Sequence, residues 1–422
     1  MKYIKKTLEN GLRIVLVPLK DTETVTVMVL AETGSEYEEK SVNGISHFLE
    51  HMCFKGTTKR PSSRVINHEL DSLGSQSNAF TNTEYTGFYA KAHAKHTSQI
   101  IDIVSDIYLH SVFPEEEMQK EKGVVIEEIN MYEDRPDHKV WEVLGELMYD
   151  NQSAGRSILG TKETVGNFTR DNLIEYHKKH YVASGTLVVI AGKIEEEKVI
   201  QEVEKAFAEI SAEEKWKKEK VIETQIKPES AVHFKDADQT HLVLAFRSFD
   251  TYDKRNFAAS VLSTILGGGM SSRLFSKMRE DLGICYYIRS SHSAFIDHGS
   301  FVVSAGVSNT RVEEAIKGIL EEVKKITSEL VSPEELRKAK DFKIGNLFLN
   351  LETSDSFADF YGYQEIYREE VLSPEEVVRR IEAVTVEEVQ SVARDIFQSL
   401  TMNLAIVGPH KDTEKFRNLL EL

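Results

Sequence analysis

The stretch Phe168–Ile194, FTRDNLIEYHKKHYVASGTLVVIAGKI, reads as a helix opened by Thr169 and followed by an apolar strand, LVVIAG, that ends at Gly192. Near the end of the chain Val384–His410, VTVEEVQSVARDIFQSLTMNLAIVGPH, repeats that order, from Thr385 to Gly408. Thr169 to Thr385 and Gly192 to Gly408 span the same interval, 216 residues (385 − 169 and 408 − 192), so the two segments align without a gap. An internal repeat at about half the chain length predicts two similar domains.

Applied outward, the same offset lays the strand Val25–Thr33, VTVMVLAET, on HLVLAFRS from His241. It also lays the region around His47 on a helix pattern, AASVLSTILGGG. Between the halves, Ser211–Ser230 is polar, charged and closed by a proline, the composition of a linker. We therefore expect domains over residues 1–210 and 229–422, joined by a linker at 211–228. Strands alternate with long helices, and TVTVMVLAETGS and SNAFTNTEYTGFYAKA read as hairpin-like. The expected class is α+β, two homologous domains, each a mostly antiparallel sheet with helices packed on one face.

A chain of 422 residues exceeds what one core usually serves, and 41% hydrophobic with 29% charged residues describes an ordinary globular protein. The formal net charge of −17 argues against a nucleic acid or an anionic membrane as partner and is compatible with basic peptides. Cys53 and Cys285 are the only cysteines and lie far apart, too few for a disulfide framework. No apolar run of signal-peptide or membrane-span length stands out, so the cytoplasm is the expected location.

Chemistry concentrates in NGISHFLEHMCFKGT, where His47, Glu50 and His51 fall in the order His-x-x-Glu-His on a predicted helix. Residues four apart stack one turn above each other, so both imidazoles can reach one ion with Glu50 on the same face. Zinc hydrolysis needs neutral imidazoles, a third protein ligand, an open position for water and a carboxylate to take its proton. With 14 histidines in the chain, a helix that merely carries two polar-face histidines gives the same pattern, and a second element is needed. KEKGVVIEEINMYEDRPD supplies a candidate: Glu121, Val124, Val125 and Glu128 follow i, i+3, i+4, i+7, and acids on an apolar stripe need a partner, of which a metal is one. Glu127 lies off the stripe and reads as a solvated acid.

These runs carry a resemblance. HFLEHMCFKGT resembles the zinc helix, and EKGVVIEEI the distal-glutamate helix, of the pitrilysin-type inverted-motif metallopeptidases, in their two-domain bacterial and mitochondrial-processing-peptidase-like group. The resemblance spans nearly the whole chain. It implies one zinc per chain held by His47, His51 and Glu128, with Glu127 a minor alternative, Glu50 as general base and Glu121 as a supporting residue. The second half has Ser263–Gly267, STILG, where the first has HFLEH, and so is expected to be a metal-free copy.

The resemblance further implies that Asn78, Ala79 and Phe80 lie on an edge strand that pairs with substrate, and that Arg279 and Tyr286 of the second half bind substrate and stabilise the oxyanion. From composition alone the first is a plain hairpin and the second an ordinary pair of side chains. Gly267–Gly269 lacks the spacing of a nucleotide-binding loop. The expected activity is hydrolysis of unfolded peptides or presequence-like segments within a closed chamber, by a homodimer. The rival readings are a non-catalytic subunit of a processing-peptidase-like complex and a zinc amidase acting on small molecules.

Overall fold

The structure is a computed structural model that describes residues 3–367 and 370–422. Its contacts gather into two compact units. One comprises Met1–Ile129, Arg156–Glu219 and Asn350–Val371; the other Asn130–Gly155, Lys220–Leu349 and Leu372–Leu422. The linker region divides between Glu219 and Lys220.

The first unit is built on six strands: β1 (Ile4–Thr7), β2 (Arg13–Pro18), β3 (Thr24–Ala31), β4 (Gln76–Thr81), β5 (Thr86–His93) and β6 (Thr186–Gly192). Their order is β1-β2-β6-β3-β5-β4, and only β2 and β6 run parallel. The second unit holds β7 (Glu229–Phe234), β8 (Gln239–Arg247), β9 (Cys285–Ala294), β10 (Gly299–Ser308) and β11 (Asn403–Gly408). Their order is β7-β11-β8-β10-β9, with β7 and β11 parallel. The α+β class and the mostly antiparallel sheets are as expected.

The repeat extends beyond the segments that reveal it. Shifted by 216, β2 falls on β7 at both ends, and the last residues of β3 and β6 fall on those of β8 and β11. Thr169 and Thr385 are the N-caps of Arg170–His180 and Val386–Ile396, each in a capping box with Asn172 or Glu388. SNAFTNTEYTGFYAKA is the β4–β5 hairpin, whereas TVTVMVLAETGS is no hairpin: it contains the single strand β3, whose partners are β5 and β6.

On β3 successive side chains point to opposite faces. Val25, Val27 and Val29 join Phe48, Leu49 and Met52 of the helix Ile45–Cys53 in the larger core. The other face carries Met28 and Leu30, equally buried, and is covered by the helix Ser354–Tyr367. Gly362 lets that helix approach, since a Cβ there would stand 2.9 Å from Leu30 and 3.3 Å from Val189. The second sheet is likewise covered twice: Leu242, Leu244 and Phe246 face one core, while Val243 and Ala245 lie under Val140, Val143 and Leu144 of the helix Pro136–Tyr149. Each sheet thus has one main helical face, as expected, and a second face closed by one helix drawn from the other half of the sequence.

Candidate metal centre

The helix Ile45–Cys53 begins after Gly44, whose φ of 93° favours glycine. A Cβ on Gly44 would stand 2.5 Å from the Leu159 carbonyl oxygen, so no other residue fits without displacing backbone. The buried Glu38 carboxylate caps this start, accepting from the backbone N–H groups of Gly44 at 2.7 Å and Ser46 at 2.8 Å and from the Asn43 amide at 2.9 Å. Apolar Ile45, Phe48, Leu49 and Met52 anchor one side of the helix in the core, which fixes the direction in which His47, Glu50 and His51 project.

The distal acids stand on the helix Glu115–Asp134. Glu121, Val125 and Ile129 are buried, Glu128 is half-buried and Glu127 is exposed. The stripe read from sequence is corrected at Val124, which is 52% exposed: the row facing the core runs through Val125 and Ile129.

A Glu128 oxygen lies 3.7 Å from His47 Nε2 and 3.9 Å from His51 Nε2, and candidate ligand atoms of the three residues all lie within 4.8 Å of one another. Donors held about 2 Å from one tetrahedral ion lie about 3.3 Å apart, so these three residues are grouped closely enough to be candidate ligands of one ion. The electrostatics suit a cation. Burial, with the neighbouring His51 second, pushes the His47 imidazole down to about 3, which favours the neutral form that metal ligation needs. Its Nδ1 is buried with no hydrogen-bond partner among the described residues.

His51 is held differently. Its Nδ1 lies 2.8 Å from Glu121, whose other oxygen is 2.5 Å from Lys55 Nζ. Burial pulls the His51 imidazole down, but the Glu121 bond together with the charges of Glu50 and Glu128 outweighs that and raises it. Burial likewise opposes ionisation of Glu121, and the bonds from His51 and Lys55 prevail and hold it low. Glu50 is 9% exposed and is raised by burial, partly offset by a hydrogen bond from Thr81. Lys55 and Thr81 were not singled out from sequence. Their only signal is position, Lys55 four residues after His51 and Thr81 two after Ala79 on one strand.

The other candidates fall in two places. Asn78, Ala79 and Phe80 lie on β4, the edge of the first sheet, with Asn78 exposed, Ala79 in the core and the Phe80 ring 5.8 Å from that of Tyr85. Arg279 and Tyr286 belong to the second unit. Arg279 stands in the π-helical segment Ser276–Asp281, its guanidinium carbon 5.6 Å from the centre of the Tyr286 ring, and Tyr286 is 70% exposed at the start of the edge strand β9. Ser263, aligned with His47, lies in the helix Asn256–Gly267 and donates to the Ser260 carbonyl.

Comparison with known proteins agrees with this architecture. Residues 13–162 match the family model described as insulinase (peptidase family M16), and residues 167–342 the peptidase M16 inactive domain. An uncharacterized zinc protease of Bacillus subtilis is 37% identical over 403 residues, covering 96% of this chain and 97% of that one. An uncharacterized zinc protease of Streptomyces coelicolor is 33% identical, covering 98% and 91%. The fold matches the crystal structure of a protease from Helicobacter pylori with a TM-score of 0.91 at 23% identity, covering 97% of this chain and 99% of that chain. Two family models in tandem, relatives similar over nearly their whole length and the paired sheets lead to one conclusion: the chain belongs to the pitrilysin-type peptidase family M16.

Proposed function

We propose that the protein is a zinc-dependent endopeptidase acting on unfolded peptides or presequence-like segments. The observation that carries this reading is the convergence of His47, His51 and Glu128 beside the buried carboxylate of Glu50. These three residues would hold one zinc per chain, which when bound supplies Lewis acidity, polarising the scissile carbonyl and lowering the pKa of water toward neutrality. Glu50 takes a proton from the attacking water and returns it to the leaving amine, and its raised proton affinity suits both tasks. Glu121 accepts from Nδ1–H of His51, which fixes the tautomer and turns the Nε2 lone pair toward the other ligands.

Substrate recognition follows from the sheet edge. Among the described residues β4 pairs on one side only, with β5, so an extended peptide can add to its other side through main-chain hydrogen bonds near Asn78, Ala79 and Phe80. Family resemblance supports a role for Arg279 in holding substrate, for Tyr286 in stabilising the oxyanion, and for action as a homodimer with an enclosed chamber. The relatives' designation as zinc proteases supports the metal. Among the described residues no helix is long and apolar enough to cross a membrane.

The test is a digest of a peptide library with zinc measured on the same samples. Hydrolysis should stop on chelation and return with zinc, and Glu50→Gln should lose turnover while keeping its zinc. A protein that binds zinc but cleaves no peptide would be a non-catalytic subunit. Cleavage of small amides alone would make it a different hydrolase.

A further inference from the structure

Thr81 ends β4, and its hydroxyl donates to Glu50 Oε2 at 2.6 Å. Two constraints fix its aim. Ala79, on the same face of the strand, is part of the core that holds the helix Ile45–Cys53. On the opposite face Phe80 lies across Gly87 of β5, where a Cβ would meet its ring at 2.3 Å, with Tyr85 and Tyr89 at 5.8 and 6.5 Å. Rolling β4 to withdraw Thr81 would break both contacts.

A glutamate side chain has several rotatable bonds, and the nearby Glu128 carboxylate repels Glu50. A donor on Oε2 holds the carboxylate against that repulsion and leaves Oε1 to accept a proton. We propose that Thr81 is a positioning residue for Glu50, so that the edge strand offered to the peptide backbone also sets the orientation of the general base. The inference rests on the peptidase reading above and adds to it a residue that couples strand pairing to proton transfer.

The experiment compares zinc-loaded wild type, Thr81→Val, which is nearly isosteric without the hydroxyl, and Thr81→Ser, which keeps it. Each is studied by steady-state kinetics on one peptide, by zinc analysis and by crystallography. In Thr81→Val, kcat should fall about tenfold to hundredfold with KM within about twofold, the cost of a misplaced reacting group. Zinc content should be unchanged and the Glu50 carboxylate displaced. Thr81→Ser should recover most of the lost turnover, with the carboxylate in its wild-type place. A Val variant with wild-type kcat and an unmoved Glu50 would overturn the proposal, as would a Ser variant as damaged as Val or a loss of turnover matched by loss of zinc. If the wild type cleaves no peptide, the peptidase reading fails by itself, and the position of Glu50 in the Val and Ser crystals still decides whether Thr81 holds it.

Discussion

Glu128 turns toward His47 and His51 while its neighbour Glu127 is exposed, because one residue is a rotation of about 100° around a helix. Glu128→Gln should therefore weaken zinc binding by at least the roughly tenfold to hundredfold seen when an outer-shell partner is lost, and Glu127→Gln should leave it nearly unchanged. A zinc titration checks this, and the reverse ranking would move the ligand to Glu127. The His-x-x-Glu-His spacing was legible because helical spacing is local information, whereas the apolar row beside the acids was misplaced at Val124 because the side of the helix that meets the core is set by tertiary packing. Thr81 and Lys55 were not legible, since each reaches its partner only after a strand or a helix end is placed by tertiary packing.

Among the elements, β3 is the most instructive. Its run TVTVMVLA interleaves polar and apolar residues at first, as a strand with one solvated face would, yet every residue after Thr24 is buried. Apolar Met28 and Leu30 on the second face were the signal that something covers it, but nothing local identifies the helix Ser354–Tyr367, more than 300 positions later, as the cover. Gly362 looks like a weak point in a helix and is instead the contact that permits close packing. Gly362→Leu should cost about 1–3 kcal/mol through overpacking against Leu30 and Val189, read as a lower urea midpoint with unchanged slope. An unchanged midpoint would mean that the helix moves away freely.

Stability of the whole molecule should depend on pH through its buried histidines. Burial, with Lys179 second, pushes His180 down to about 3, whereas an unfolded histidine titrates near 6.5. The unfolded chain therefore binds the extra proton between these values. The contribution is complete above about pH 6.5 and is lost as pH falls through that window, about 2 kcal/mol at pH 5. Glu38, pushed up to about 7 by burial, acts in the opposite sense, so the informative quantity is a difference. Between pH 7.5 and 5 the wild type should lose about 2 kcal/mol more unfolding free energy than His180→Gln, measured by urea denaturation. Equal losses would mean that His180 is protonated in the folded state.

The covering of each sheet by a helix from the other half also bears on how the chain can be divided. Residues 1–210 alone lack Ser354–Tyr367 and would bare Val15, Val17, Met28, Leu30, Leu187 and Val189, all buried in the intact chain. That fragment should bind a hydrophobic dye or aggregate, and adding residues 350–371 as a peptide should suppress this. A monomeric, dye-silent fragment would show that the sheet closes without its late helix. Synthesis on the ribosome faces the same condition. After Gly192 completes β6, 175 further residues (367 − 192) must emerge before Tyr367 ends the covering helix. At translation rates of about 5–20 residues per second this is a wait of about 10–35 s with one apolar face of the first sheet unshielded. The nascent first half should therefore be a client of ribosome-associated chaperones, released only when the helix ending at Tyr367 has emerged.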